Sequence, residues 1–285
     1  MTSSALVVGA SRGIGRQIAI TLSNNGFNVG IAAKTVEHSA KLPGTIYSVA
    51  DEIHQKTNRR ALPLQCNVRD VTQIQKAVQS CIDEFGKLDL LVYNAGAILW
   101  EKVVDTPLKR FQVMMEVNVG GAYAAVESVL PHMLQQKTGR IILVAPPIYN
   151  RFFKGKTPYA ITKIGMTVLV HGLSNELAGT GVSVSALWPA TVIESHVTAV
   201  RNVPAGVMRT AEVFADACLA IAGEKSEKYN GKALIDEDLL RGTGVTDFKK
   251  YRCDPNVEPP RMMPKVFPSL LVEEENEQLQ WPSKL

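Results

Sequence analysis

Tyr159 and Lys163 stand four residues apart in "TPYAITK". In a helix that spacing puts both side chains on one face. A phenol ordinarily titrates near ~10, so it needs a neighbouring cation to exchange a proton near neutrality. The two residues therefore read as a proton-transfer pair. On spacing alone, a buried helix tyrosine beside a lysine reaching for solvent is the simpler explanation. The apolar run before the pair, "IILVAPP", ends on Ala145 and Pro146. Neither side chain can donate a hydrogen bond.

A second group of residues suits a phosphate ligand. "VVGASRGIG" places Gly9, Gly13 and Gly15 between an apolar run and a helical pattern, with Ser11, Arg12 and Ile14 in the same loop. Glycines let the backbone turn tightly, and the free N–H groups and dipole of a helix N-terminus favour an anion there. The spacing is GxxxGxG, not the commoner GxGxxG. Read as a dinucleotide site, the next strand should end in an acid about 20 residues on, to bind the ribose of NAD. Lys34 stands there instead. A cation suits a 2′-phosphate, and Arg12 offers a second contact, so NADP(H) is the expected cofactor.

These residues must be carried by alternating elements. Strands are expected over 5–9, 27–33, 61–66, 88–96, 140–145, 182–188 and 232–236, each nearly continuous in apolar residues. Helices are expected over 12–26, 45–56 and 71–86, after Thr106-Pro107, from Thr157-Pro158, and over 210–223. Apolar strands alternating with helices imply an α/β fold, a Rossmann-like, doubly wound parallel sheet of about seven strands with helices on both faces. Ligands bind such sheets at the carboxyl ends of the strands.

With "GASRGIG", "NAG" at 94–96, Asn118 in "VNVGGAY" and "YAITK" at 159–163, the chain resembles the short-chain dehydrogenase/reductase family over roughly residues 1–236. The resemblance implies that Tyr159 exchanges a proton with a substrate oxygen. It implies that Lys163 lowers the phenol's pKa and holds the nicotinamide ribose, and that Asn118 supports a water-linked proton path. Asn94, Ala95 and Gly96 would line the cofactor, as would Asn67, Val68, Pro189 and Val192. Three positions depart from the family pattern. Ala145-Pro146 replaces the catalytic serine, a loss on the order of 2–4 kcal/mol of transition-state stabilisation. Tyr149 and Asn150 are candidates to replace that hydroxyl. Asn67 stands where an acid contacts adenine. Pro189-Ala190 replaces proline-glycine, and Glu194 stands where a threonine often meets the pyrophosphate. The family also implies a homodimer or homotetramer through the helices bearing Asn118 and Tyr159, and "GGAYAAVESV" has small residues for close helix packing.

Composition bounds the remaining classes. The chain has 285 residues, 46% of them hydrophobic, and a net charge of +4 spread along its length. Neither a nucleic-acid surface nor a membrane span is expected. Cys66, Cys81, Cys218 and Cys253 lie far apart, and the five histidines lack metal-ligand spacing, so neither a disulfide framework nor a metal site is expected. The first apolar run leads directly into the glycine loop and reads as a strand, not a signal peptide. Residues 1–245 read as the cofactor-binding domain, and 246–285 as a proline-rich, then acidic, tail. The tail carries Ser283-Lys284-Leu285, the type of signal read by the peroxisomal import receptor.

The first functional reading is a peroxisomal NADP(H)-dependent oxidoreductase acting on a ketone or secondary alcohol of an apolar, lipid-like substrate. Ile148, Tyr149, Phe152, Phe153, Val192, Val197, Val203 and Met208 are expected to shape its pocket. A serine-free site also admits a second reading, enoyl reduction or isomerisation, and a third, a cofactor-binding protein with little catalysis.

Overall fold

Main-chain hydrogen bonding between apolar runs decides the architecture. The computed structural model describes residues 2–39 and 43–270. Among them are nine strands: β1 Ser4–Val8, β2 Asn28–Ala33, β3 Ala61–Gln65, β4 Leu90–Tyr93, β5 Gly139–Val144, β6 Val182–Trp188, β7 Val192–Ile193, β8 Met208–Arg209 and β9 Ala233–Ile235. Seven form one parallel sheet in the order β3-β2-β1-β4-β5-β6-β9, and β7 and β8 form a separate parallel ribbon. The helices are α1 Gly13–Asn24, α2 Ile46–Lys56, α3 Val71–Phe85, α4 Leu108–Met114, α5 Gly121–Gln136, α6 Asn150–Phe153, α7 Thr157–Glu176, α8 His196–Val200, α9 Glu212–Gly223, α10 Ser226–Tyr229 and α11 Asp236–Gly242.

Alternate strand residues point to opposite faces, and both faces are covered. Ala5 and Val7 join a core with Ile18, Leu22, Ile46, Val213 and Phe214. Leu6 and Val8 join another with Ile74, Val78, Val129, Met166 and Val170. The chain is therefore doubly wound, and strand order reverses at β1, which pairs with β2 on one side and β4 on the other. The crevice beyond the carboxyl ends of β1 and β4 is where such a sheet takes a ligand.

Some boundaries differ from expectation. β4 stops at Tyr93, and Asn94 turns its side chain away to bond the Gly9 carbonyl. The helical region after Thr106-Pro107 divides into α4, a π-helical turn over Met115–Gly120, and α5. Thr106 does not cap α4, because its hydroxyl donates to the Lys102 carbonyl. The ribbon β7–β8 and the short helices around it had no periodic signal, being too brief to show one. Phe248 and Tyr251 are buried in the same core as α9 and α11, directly after the expected boundary at 245. Within 246–270, Phe248, Tyr251 and Met263 are buried, whereas Ser283-Lys284-Leu285 and the acidic stretch 273–277 lie outside the described residues.

Candidate functional site

The glycine loop is shaped by close approaches that a side chain would block. A Cβ on Gly15 would sit 2.2 Å from the Gly9 carbonyl oxygen and 2.6 Å from Asn94 Nδ2. Asn94 Nδ2 donates to that carbonyl at 3.0 Å, joining β4 to the loop. The amides of Gly9 and Ala10 both donate to Ala32 O, tying the loop to the end of β2. Gly13 has φ +54°, and a Cβ there would meet nothing nearer than Ser195 at 3.9 Å. Among the described residues no side chain caps the α1 N-terminus, so its leading N–H groups are available to an anion. This open, uncapped cradle fits the pyrophosphate of a nicotinamide dinucleotide. Ser11 is buried, and Ile14 packs on the core below. Arg12 donates to the carbonyls of Pro43 at 3.1 Å and Gly44 at 3.1 Å, beyond β2. Lys34 is exposed at the end of β2.

Asn67 and Val68 follow β3. Asn67 accepts from the Arg69 amide at 3.2 Å, and Val68 packs beside α5. Pro189 follows β6, and Val192 lies in the ribbon whose downstream Ser195 approaches Gly13. Glu194 is directed elsewhere: its Oε1 accepts from the Ala211 amide at 3.2 Å.

At the other end, α7 presents Tyr159 and Lys163, both buried. Tyr159 sits in an aromatic cluster, 6.4 Å from the Trp100 ring and 6.3 Å from that of Phe152. Burial pushes its phenol above the usual tyrosine range. Burial also pulls the Lys163 ammonium down to about 7. Lys163 donates to the Val144 carbonyl, lies 3.3 Å from Met166 Sδ, and sits 5.5 Å above the Trp188 ring. Asn118 is fully buried in the π-helical turn. It accepts from the Ala97 amide at 2.8 Å and donates to Ala97 O at 3.0 Å and to Thr162 Oγ1 at 2.8 Å. A π-turn breaks the regular ladder, a feature frequent at functional sites. Asn94, Ala95 and Gly96 run between the two ends, and a Cβ on Gly96 would lie 3.6 Å from Asn118 Oδ1.

Ala145 is fully buried, and the Pro146 carbonyl accepts from Thr167 Oγ1 at 2.7 Å. Tyr149 turns its hydroxyl to Met263 Sδ at 3.2 Å, and exposed Asn150 opens α6. Of the expected pocket residues, Tyr149, Phe152 and Phe153 gather around Tyr159. Val192 and Met208 pair with each other in the ribbon instead. Thr162, Thr167 and Trp188 were not foreseen. Their partners are distant in sequence, and only the position of Trp188 at a strand end, before Pro189, hinted at a role. A Cβ on Gly121 would meet Tyr93 Oη at 2.2 Å, so this glycine lets α5 close on its own sheet.

A family model described as short chain dehydrogenase matches residues 3–203. Hydroxysteroid dehydrogenase-like protein 2 of Danio rerio is 39% identical over 256 residues, 87% of this chain and 60% of that protein. The Homo sapiens protein of that name is 38% identical over 256 residues, 88% of this chain and 60% of that protein. The chain thus spans about 60% of the length of these curated relatives. A solved structure, a putative dehydrogenase from Xanthomonas campestris, superposes with TM-score 0.85 at 37% identity, covering 95% of this chain and 98% of that one. A short chain dehydrogenase from Mycobacterium thermoresistibile gives TM-score 0.85 at 36% identity, covering 91% and 93%. With the uncapped glycine loop at one end of the crevice and Asn118, Tyr159 and Lys163 at the other, the chain belongs to the short-chain dehydrogenase family of oxidoreductases, which use a nicotinamide cofactor.

Proposed function

We propose that this chain is an NADP(H)-dependent oxidoreductase that interconverts a ketone and a secondary alcohol on an apolar, lipid-like substrate. The observation that carries the reading is the placement of Tyr159 and Lys163 on one face of α7, with the phenol inside an aromatic cluster. The cofactor supplies or accepts the hydride. The chain's residues do the rest. Gly9, Gly13, Gly15 and the α1 N-terminus hold phosphate, and Lys34 and Arg12 favour the extra phosphate of NADP(H). The aromatic cluster orients an apolar substrate and excludes water. Tyr159 moves the proton at its Oη, and burial keeps that phenol protonated and ready to donate. Lys163 tunes it. An ammonium turned from the Val144 carbonyl towards the phenol lowers the phenol's pKa.

The absence of a donor at Ala145-Pro146 favours a second reading, a reaction such as enoyl reduction or isomerisation in which oxyanion support comes from elsewhere. The deciding experiment follows NADPH oxidation over ketones and enoyl thioesters, with wild type and Tyr159→Phe side by side. Turnover of ketones that vanishes in Tyr159→Phe upholds the first reading. NADPH binding without turnover of any ketone rejects it.

Tyr123, Ile161 and Val168 are exposed apolar side chains on α5 and α7, and they support a homodimer or homotetramer through those helices. The Ser283-Lys284-Leu285 sequence supports recognition by the peroxisomal import receptor and a peroxisomal location.

A further inference from the structure

A stretch of chain more than 80 residues beyond α7 in sequence packs outside the catalytic pair. The amides of Met262 and Met263 both donate to Ala190 O, at 2.7 Å and 3.0 Å. Arg151 Nη2 donates to Met262 O at 2.8 Å, and Tyr149 Oη donates to Met263 Sδ. The Phe267 ring stands edge-on to Tyr149 at 5.5 Å. Met263 is buried in a cluster with Ala190 and Ile235, against which Tyr149, Trp188 and Phe267 pack. Trp188 continues inwards to Lys163 at 5.5 Å and to Phe152 at 5.6 Å, and Phe152 meets Tyr159. Two side chains, Trp188 and Phe152, therefore separate Met263 from the phenol.

The segment is anchored on both sides. Glu258 Oε1 accepts from buried Arg209 at 2.5 Å. Arg261 grips Asp238 through two bonds of 2.6 Å and 2.7 Å, and its Nε donates to Met263 O at 2.8 Å. Met262 and Met263 bond both the turn after β6, through Ala190, and the stretch after β5, through Tyr149 and the α6 residue Arg151. Those two segments flank the catalytic pair.

We propose that Met263 and Phe267 are specificity-determining residues, forming with Tyr149 and Trp188 the outer wall against which the apolar part of the substrate lies. The word substrate here rests on the oxidoreductase reading. A methionine suits the role, because its unbranched thioether adapts to irregular apolar shapes. Truncating either side chain opens the wall and shifts selection towards bulkier molecules.

The test compares wild type, Met263→Ala, Phe267→Ala and Val266→Ala. Val266 lies in the same segment but is 83% exposed, so its variant is the control. The kcat/KM ratio of cyclododecanone to butan-2-one is expected to rise at least fivefold in the first two variants and to stay within twofold in the control. The NADPH Kd stays within twofold in all. A second readout needs no turnover: binding of 1-anilinonaphthalene-8-sulfonate, competed by decan-2-one, is expected to change Kd at least threefold in the same two variants. If wild type reduces no ketone, the reductase reading fails while the competition assay still decides the wall. Should Met263→Ala fail to fold, the half-buried Phe267 and its milder variant carry the test. Unchanged ratios and unchanged probe Kd, or no competition in wild type, overturn the proposal.

Discussion

The glycine loop after β1 and the tyrosine helix α7 serve one crevice but are held in place by different means. The loop is held by backbone. Its shape depends on the space left by a missing Cβ at Gly15 and on one carbonyl, Gly9 O, bonded by Asn94. The tyrosine end is held by side chains from many segments: Asn118 through Ala97 and Thr162, Lys163 against Val144 and Trp188, Tyr159 among Phe152 and Trp100. This backbone cradle leaves no room for a Cβ at Gly15. A cradle of side chains can be retuned by substitution, and the Ala145-Pro146 departure falls at that end.

The largest effect should come from the proposed proton donor. Tyr159→Phe is expected to lower kcat by about 10³-fold, roughly 4 kcal/mol in barrier, with the NADPH Kd within about twofold. Steady-state rates beside NADPH fluorescence titration check it. A weakened Kd of similar size would show that the two ends are not separable.

Gly15→Ala probes the other end. Its methyl must displace both the Gly9 carbonyl and the Asn94 amide. Strain of this kind costs about 1–3 kcal/mol. NADPH binding is expected to weaken by roughly 10–100-fold, with a lower melting temperature by calorimetry. Wild-type affinity would mean that the loop yields as readily as a cradle of side chains. Lys34→Asp should act more gently, lowering the NADPH-to-NADH preference by about tenfold and leaving the melting temperature unchanged. A preference that does not move would leave Arg12 as the phosphate contact.

The two ends also differed in how much could be read from the sequence. The glycine loop was legible because its constraint is local: a strand, a turn and a helix start within about fifteen residues, and only glycine suits the close approaches. Periodicity put Tyr159 and Lys163 on one helix face, and the family resemblance carried by "YAITK", Asn118 and the glycine loop gave them a role. What held them was not legible. Asn118 meets Thr162 across 44 residues, and Tyr149 meets Met263 across 114. No periodicity encodes such pairings. The stretch around Met263 and Phe267, with Pro259, Pro260, Pro264 and Pro268, offered no pattern from which a place beside the site followed. Tertiary packing alone brings it there.

The last expected effect is on stability and concerns the joint between that stretch and the sheet. Asp236 is fully buried and accepts from the amides of Ala190 at 2.8 Å and Glu237 at 2.6 Å. Its other oxygen has no hydrogen-bond partner among the described residues. Burial raises the carboxyl to about 7; the two amides oppose that shift, neighbouring Glu237 adds to it, and Arg209 opposes it. The native state therefore keeps a proton that the unfolded chain releases near pH ~4. Between these values the native state binds more protons, so stability from this group is complete at low pH and is lost as pH rises to about 7. Asp236→Asn keeps an acceptor for both amides and has no proton to lose. Urea unfolding at pH 5 and pH 8 should show the variant gaining on wild type by about 1–3 kcal/mol at the higher pH. Because the Ala190 turn also receives Met262 and Met263, the same change should slow amide exchange of those two residues at pH 8. Parallel stability curves would mean that Asp236 is ionised in the native state and that water reaches its free oxygen.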